Sequence, residues 1–236
     1  MDETARIGLP LVQAAQAQKH VTVNEAFARL DALWPLVIAG RDLAEPPEGV
    51  AEGTVYAVPE GAIGDWAGQA GRLALALGGG WAFVPPARGW TAWLAGEGRA
   101  AIHDGSDWRA GALTLSESGA GLAAGLVAGE HALAPGGTAV TGVVIPAGAM
   151  VIGATARVVE ALTGTLSAWR IGTPGAEDQF GTGLGLAAGS WGRGMLGAPM
   201  TYYSDAPLVL TAEGGSFDAG RVRLAVHYLE TLLPDA

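Results

Sequence analysis

The chain of 236 residues carries 13 basic and 23 acidic side chains, a formal net charge of −10, and contains no cysteine. This charge balance provides no cationic track for phosphates, so it argues against nucleic-acid binding. The lack of thiols excludes disulfide frameworks, thiol nucleophiles and Cys-type zinc sites.

No apolar run approaches the roughly 18 residues that a membrane-spanning helix needs. The N-terminal sequence MDETARIGLP lacks a basic region followed by an apolar one, so we expect no signal peptide. The sequence therefore predicts a protein that is made in the cytoplasm and is not inserted into a membrane.

The composition indicates the fold class. The chain contains 38 glycines and 13 prolines, and only 15% of its residues are charged. This pattern is typical of a turn-rich, mainly β protein. The low charge content also favours a self-associating chain, which we expect to be a homotrimer.

Residues 1–40 predict an arm and a short helix. Residues 10–23 are rich in Gln and Ala with little periodicity, which favours an extended arm. Thr22 and Glu25 have the spacing of a capping box, so we expect the helix to begin there, and Pro35 should end or kink it.

The predicted helix carries one apolar stripe at helical spacing. Its members are Phe27, Leu30, Leu33 or Trp34, and Val37. One interpretation is a helix packed on its own domain. The other is a contact with further copies of the chain or with a larger particle, through Phe27, Leu30, Leu33 and Trp34.

Residues 41–112 predict a small β domain. Strands are expected at 54–58 and at 72–77, where leucines alternate with alanines as on a strand with one better-buried face. Residues 78–111 hold four of the eight tryptophans between Gly-rich turns, which favours a β-meander. We expect Trp81 and Trp93 to pack in its core.

Residues 113–137 are rich in small side chains and lack a clear period, so we predict a linker with at most one short strand. Residues 138–236 then predict a β-sandwich or jelly-roll-like domain. Residues 150–163 alternate as a long strand, and residues 165–173 are expected to form a hairpin with it. A final strand places four side chains on one face: Val222, Leu224, Val226 and Tyr228.

Catalytic and metal-binding patterns are weak. The four histidines, 20, 103, 131 and 227, lie far apart and lack metal-ligand spacing, so we expect neither a metal nor another cofactor. The sequence HDGSD at 103–107 is a turn rather than a triad, because neighbours in one turn cannot place a base against a nucleophile. Paired carboxylates for a glycosidase would have to come from C-terminal loops: Glu177, Asp178, Asp205 and Glu213.

Aromatic side chains among Gly-rich loops predict a sugar-binding site in the C-terminal domain, since sugar rings stack on aromatic platforms. The expected ligand-binding residues are Trp191, Tyr202 and Tyr203, with Asp178 and Asp205 bonding sugar hydroxyls. Trp169 is instead expected in the core. An acidic polysaccharide would be repelled by the net charge unless an arginine lies at the site, for which the candidates are Arg170, Arg193 and Arg221.

Two stretches carry a family resemblance. LPLVQAAQAQKHVTVNEAFARLDAL, followed by GGGWAFVPPARGWTAWLAGEG and HDGSDW, resembles a domain-of-unknown-function family found in fibre and spike proteins of bacteriophages and gene transfer agents. This resemblance covers residues 9–110. The later VIPAGAMVIGATARVVEALTG, DQFGTGLGLAAGS and RVRLAVHYL resemble the distal β domain that often follows in such fibres.

The resemblance implies an oligomeric appendage, bound to other virion proteins by its N-terminal part and presenting a receptor-binding tip to a host-surface glycan. It implies no catalytic residues, so we expect no enzymatic activity. Two alternatives remain: a tailspike enzyme that degrades capsule or lipopolysaccharide, and a purely structural connector within the particle.

Overall fold

A computed structural model describes residues 3–12 and 19–234. The chain divides into two compact units, residues 1–121 with 234–236, called here the N-terminal unit, and residues 122–233, called the C-terminal unit. The boundaries expected at residues 40 and 112 do not separate compact units. The arm expected at 10–23 lies mostly outside the described residues.

The fold is mainly β with one short α-helix, as the composition predicts. The N-terminal unit contains α1 (Lys19–Leu33), β1 (Val37–Ile38), β2 (Val55–Ala57), a 3-10 turn (Gly64–Trp66), β3 (Leu73–Leu77), β4 (Gly80–Val84), β5 (Thr91–Leu94), β6 (Arg99–His103), β7 (Trp108–Ala110) and β8 (Ala112–Leu115). From the unit boundary onward follow β9 (Gly121–Leu133), β10 (Thr138–Ile145), β11 (Met150–Gly164), β12 (Ala168–Thr173), β13 (Ala176–Leu184), β14 (Trp191–Thr201), β15 (Ala206–Glu213) and β16 (Phe217–Leu232).

The N-terminal unit is built on a 7-stranded sheet in the order β4-β3-β2-β1-β5-β6-β7. Its central strand is β1, which pairs in parallel with both β2 and β5. The remaining pairs are antiparallel. The meander predicted over residues 78–111 is confirmed for β5, β6 and β7 but not for β4, which pairs with β3 at the other edge of the sheet. Val37 and Ile38, at the end of the predicted N-terminal segment, therefore supply the centre of this sheet.

One face of this sheet carries α1, and the other face is covered over β2, β3 and β4. Ala32 of α1 packs with Leu73 and Leu75 on one face, whereas Trp66 packs beneath Ala74 on the other. The better-buried face expected for the leucines of β3 is therefore wrong, since its alanines are buried as fully as its leucines. Trp93 is not a core residue either, because it is 48% exposed on the face of β5 opposite to Ala92 and Leu94.

Helix α1 begins at Lys19, so Thr22 lies inside it and is not its N-cap. It ends at Leu33, directly before the Trp34-Pro35 pair, as predicted from Pro35. The segment at 3–12 is tied to the end of the helix. Asp31 accepts hydrogen bonds from the backbone N–H groups of Arg6 (2.8 Å) and Ile7 (2.6 Å), and the Arg6 guanidinium donates to the carbonyls of Asp31, Ala32 and Pro35.

The C-terminal unit is a two-sheet sandwich, as predicted. One 4-stranded sheet has the order β10-β15-β12-β13, and in the other β14, β11, β16 and β9 lie side by side in that order. Inward side chains of both sheets share one core, to which Trp169, Phe180 and Leu224 contribute. The hairpin expected between β11 and β12 is wrong, because these strands belong to different sheets.

Strand β11 changes face at a bulge. From Ala154 onward its even positions point inward except for Glu160, but before the register shift between Val151 and Gly153 the buried residue is Val151. Met150 and Ile152 are only partly buried for this reason. The inward set predicted for β16 is confirmed, since Val222 to Tyr228 are buried at alternate positions.

The predicted linker 113–137 differs most from the structure, because residues 121–133 form the long strand β9. Its inward positions include glycines where a larger partner fills the space. A Cβ on Gly125 would lie 2.1 Å from the ring of Tyr228, and one on Gly129 would lie 2.9 Å from Val143. Small residues such as Gly125 and Gly129 gave the sequence no clear strand period, yet the packing of β9 requires them.

Candidate functional site

The three aromatics predicted to bind sugar lie at opposite ends of β14. Trp191 is its first residue, whereas Tyr202 and Tyr203 follow its last. A strand rises about 3.3 Å per residue, which separates the two ends by roughly 30 Å. The structure therefore does not bring Trp191 and Tyr203 to one sugar ring.

At the far end of β14, Tyr202 is engaged in the fold. Its hydroxyl donates to Oε1 of Gln179 (2.9 Å), which also accepts from the Thr173 hydroxyl (3.0 Å), and its ring packs against the core. Tyr203 is 91% exposed. Asp205 accepts a hydrogen bond from the backbone N–H of Ala147 (2.9 Å), so one of its oxygens holds the neighbouring loop.

The other predicted carboxylates lie on the 4-stranded sheet, which does not contain β14. Asp178 lies exposed on β13, next to Glu177, which pairs with Arg170 (2.8 Å). Glu213 accepts from the Thr182 hydroxyl (2.6 Å) and the Gly183 N–H (3.1 Å), and these two bonds lower its pKa. A general acid in glycoside hydrolysis needs the opposite, a raised pKa.

The start of β14 forms a groove on the outer face of the sheet. Cross-strand register places Arg157 of β11 opposite both Trp191 of β14 and Arg223 of β16, and Thr155 opposite Arg193. Opposite residues in a sheet point to the same face, so these side chains converge. They line a groove of about 460 Å³, called here the Trp191 groove.

Trp191 is 61% exposed in this groove. The Arg193 guanidinium carbon lies 5.8 Å from the centre of the indole, within the range of a cation–π contact. This contact keeps the Arg193 guanidinium over one face of the indole. Arg193, one of the three arginines considered as partners for an acidic polysaccharide, therefore lies in the Trp191 groove.

Charge at the rim of the groove is partly balanced. Glu130 of β9 accepts hydrogen bonds from Arg221 (3.1 Å) and Arg223 (2.9 Å), and those arginines lower its pKa. The hydrogen bond with Glu130 and the charge of Glu160 (3.3 Å) in turn raise the pKa of Arg221. Arg157 and Arg193 have no ion pair with any residue that the structure describes.

Sequence reasoning missed Arg157, Arg223 and Glu130 as members of the site. The alternation of β11 does place Thr155 and Arg157 on its outer face. What the sequence lacks is the pairing of β11 with β14 and β16, because these partners lie far along the chain. Arg170, another candidate, is on the second sheet and pairs with Glu177.

The stripe predicted on α1 divides between two surroundings. Phe27 and Leu33 are half-buried, whereas Leu30 and Trp34 are 54% and 70% exposed. Leu30, Leu33 and Trp34, but not Phe27, line an apolar groove of about 410 Å³ at the end of the helix, together with Trp90. The helix thus packs on its own unit and still presents apolar side chains outward.

His103 and its neighbours form a turn. One carboxylate oxygen of Asp104 accepts from the N–H groups of Ser106 (2.8 Å) and Asp107 (2.7 Å), as in an Asx-turn, which confirms the turn predicted there. Burial raises the pKa of Asp104, but these hydrogen bonds and the bond from Arg109 outweigh it and hold that pKa far below its usual range. Burial lowers the pKa of His103.

Within the described ranges, no three His, Asp or Glu side chains are grouped so that they could hold a metal ion. The one described helix is too short and too polar to cross a membrane.

Comparison with known proteins adds one family match. Residues 23–109 match a family described as "Protein of unknown function (DUF2793)". This match lies inside the segment 9–110 on which the family resemblance rests and covers less than half of the chain. No curated protein matches the sequence.

Among solved structures, the chain is similar to a chain of the cyanophage Pam1 capsid asymmetric unit. The two are 21% identical, the alignment covers 47% of this chain and 84% of that chain, and the TM-score is 0.34.

Proposed function

We propose that this chain is a fibre or spike subunit of a phage or gene transfer agent particle and that it attaches the particle to polysaccharide on the host surface. The observation that carries the proposal is the Trp191 groove. A large exposed ring, flanked by hydrogen-bond donors and set in a shallow groove, suits a sugar ring that must be stacked and held by its polar edge.

The N-terminal unit is proposed to hold the subunit in a trimer and on the virion. Its match to a family model supports a module that recurs in other proteins. The exposed Leu30 and Trp34 beside an apolar groove supply a surface that association would cover. Exposed apolar patches of this kind mark interaction sites in proteins.

Cell binding tests the attachment role. Labelled full-length chain is incubated with a panel of encapsulated bacteria, each strain compared with the same cells after periodate oxidation of their surface sugars. We expect retention on some strains, loss after oxidation, and loss in Trp191→Ala. Trp93→Ala is the matched control, because it removes another exposed tryptophan from the N-terminal unit.

Retention that Trp191→Ala leaves unchanged contradicts the proposed site. Retention on no strain favours the structural connector. Release of new reducing ends beyond the amount of protein added assigns a depolymerase instead.

Light scattering tests the assembly role. We expect the full-length chain to form a trimer at micromolar concentration and the Leu30→Ser, Trp34→Ser double variant to be smaller. A monodisperse wild-type monomer contradicts self-association through this surface.

A further inference from the structure

The Trp191 groove concentrates positive charge on an acidic chain. Arg157 faces Arg223 directly across the β11–β16 pair, and Arg193 lies one pair further along on β14. Like charges opposite each other destabilise a sheet. Glu130 offsets Arg223, but Arg157 and Arg193 are exposed and lack a carboxylate partner among the described residues.

We propose, resting on the proposed function, that the groove binds an anionic polysaccharide whose sugars carry carboxylates. Trp191 takes the face of a sugar ring, and Arg157 and Arg193 take the carboxylates. A guanidinium donates two parallel hydrogen bonds to a carboxylate, a geometry that a neutral hydroxyl does not match. The Arg193 guanidinium lies over one face of the indole, so a sugar ring on the opposite face leaves this contact in place.

The surroundings favour a sugar polymer over a nucleic acid. Single-stranded nucleic acids need a continuous basic track along the backbone. Here Glu130 and Glu160 interrupt the row of arginines by pairing with Arg223 and Arg221, and the chain as a whole has a net charge of −10. Carboxylates spaced along a glycan each require only one nearby cation. Arg157 and Arg193, which have no carboxylate partner among the described residues, can supply these cations.

Binding to defined polymers tests this inference. The full-length protein is run in affinity gels that contain polygalacturonate, alginate or polysialate, and in a gel with fully methyl-esterified polygalacturonate. Esterification keeps the sugar backbone and removes its charge. We expect at least one acidic polymer to retard the protein about tenfold more strongly than the ester, because each lost pair is a charge-assisted bond.

Variants assign the effect to residues. Arg157→Gln and Arg193→Gln should each lose about tenfold in affinity for the acidic polymer, and raised salt should weaken wild-type binding. Arg170→Gln is the matched control, since it makes the same change on the other sheet of the unit. Circular dichroism checks that each variant keeps its fold.

The possible results separate the two proposals. Equal retardation by the ester and the acid, no retardation by any of the three acidic polymers, equal loss in Arg170→Gln, or tighter binding of oligo-dT overturns the carboxylate inference. If whole cells still retain the protein in a Trp191-dependent way, the proposed function stands without it. If cells retain nothing, the proposed function fails as well.

Discussion

Trp66 of the N-terminal unit and Trp191 of the C-terminal unit lie in opposite surroundings. In the N-terminal unit, Trp66 is fully buried against Tyr56 and Trp81, and Arg41 pairs with Glu97 (2.6 Å). In the C-terminal unit, Trp191 and Arg193 lie exposed in a groove. The buried ring stabilises its own unit, whereas the outer face of a sandwich sheet leaves the exposed ring available for a ligand.

The largest expected difference between the units is in stability. Trp66→Ala should lower the free energy of unfolding of the N-terminal unit by about 3–5 kcal/mol, because it empties a buried site between two other rings. Trp191→Ala should change stability by less than about 0.5 kcal/mol, since its surroundings are already solvated. Urea unfolding followed by circular dichroism measures both. Similar losses in the two variants would break the comparison.

A smaller effect is expected where the predicted linker became β9. Gly125→Ala should destabilise the C-terminal unit by about 1–3 kcal/mol, because the added methyl group collides with the ring of Tyr228. Gly142→Ala in β10 is the control, since nothing lies within 4 Å of its Cβ position. If Gly125→Ala is as stable as Gly142→Ala, β9 does not pack as described.

The smallest expected effect concerns acid. Burial raises the pKa of Asp31, but hydrogen bonds from the backbone of Ile7 and Arg6 outweigh it, so the folded pKa lies below the unfolded value of 3.8. The carboxylate therefore stabilises the N-terminal unit above about pH 4, and this contribution is lost as the pH falls through the folded pKa. Asp31→Asn should cost about 1–2 kcal/mol at pH 7.

Hydrogen exchange of peptides from α1 and from β11, recorded between pH 7 and pH 3, follows the two units separately. Acid should weaken protection in α1 in the wild type more than in Asp31→Asn. The reverse ranking would show that the tie between residues 3–12 and the helix does not depend on Asp31.

Much of the fold was predictable because it is local. Alternation in β16 identified a strand and its buried face, glycine turns marked the β3–β4, β5–β6 and β6–β7 hairpins, and Pro35 marked the end of α1. These patterns act within a few residues, so a single sequence contains them.

The candidate site was predictable only in part. Loop-rich surroundings favoured an exposed Trp191, which the structure shows, and Arg193, one of the three candidate arginines, lies over its ring. The same argument grouped Trp191 with Tyr203, which the length of β14 separates. The short aromatic strand favoured a core position for Trp93. In the structure, the Trp93 side chain lies on the solvent-exposed face of β5.

The sequence by itself determined the fold class, most strands of the N-terminal sheet and the alternating face of the last strand, because side-chain period and turn chemistry follow from neighbouring residues. Only the tertiary structure decided that β9 is a strand, that β1 is the centre of its sheet, and that Arg157, Trp191 and Arg223 meet. Register between distant strands depends on which partner fills each space, as Tyr228 fills the space above Gly125, and no local pattern encodes that choice.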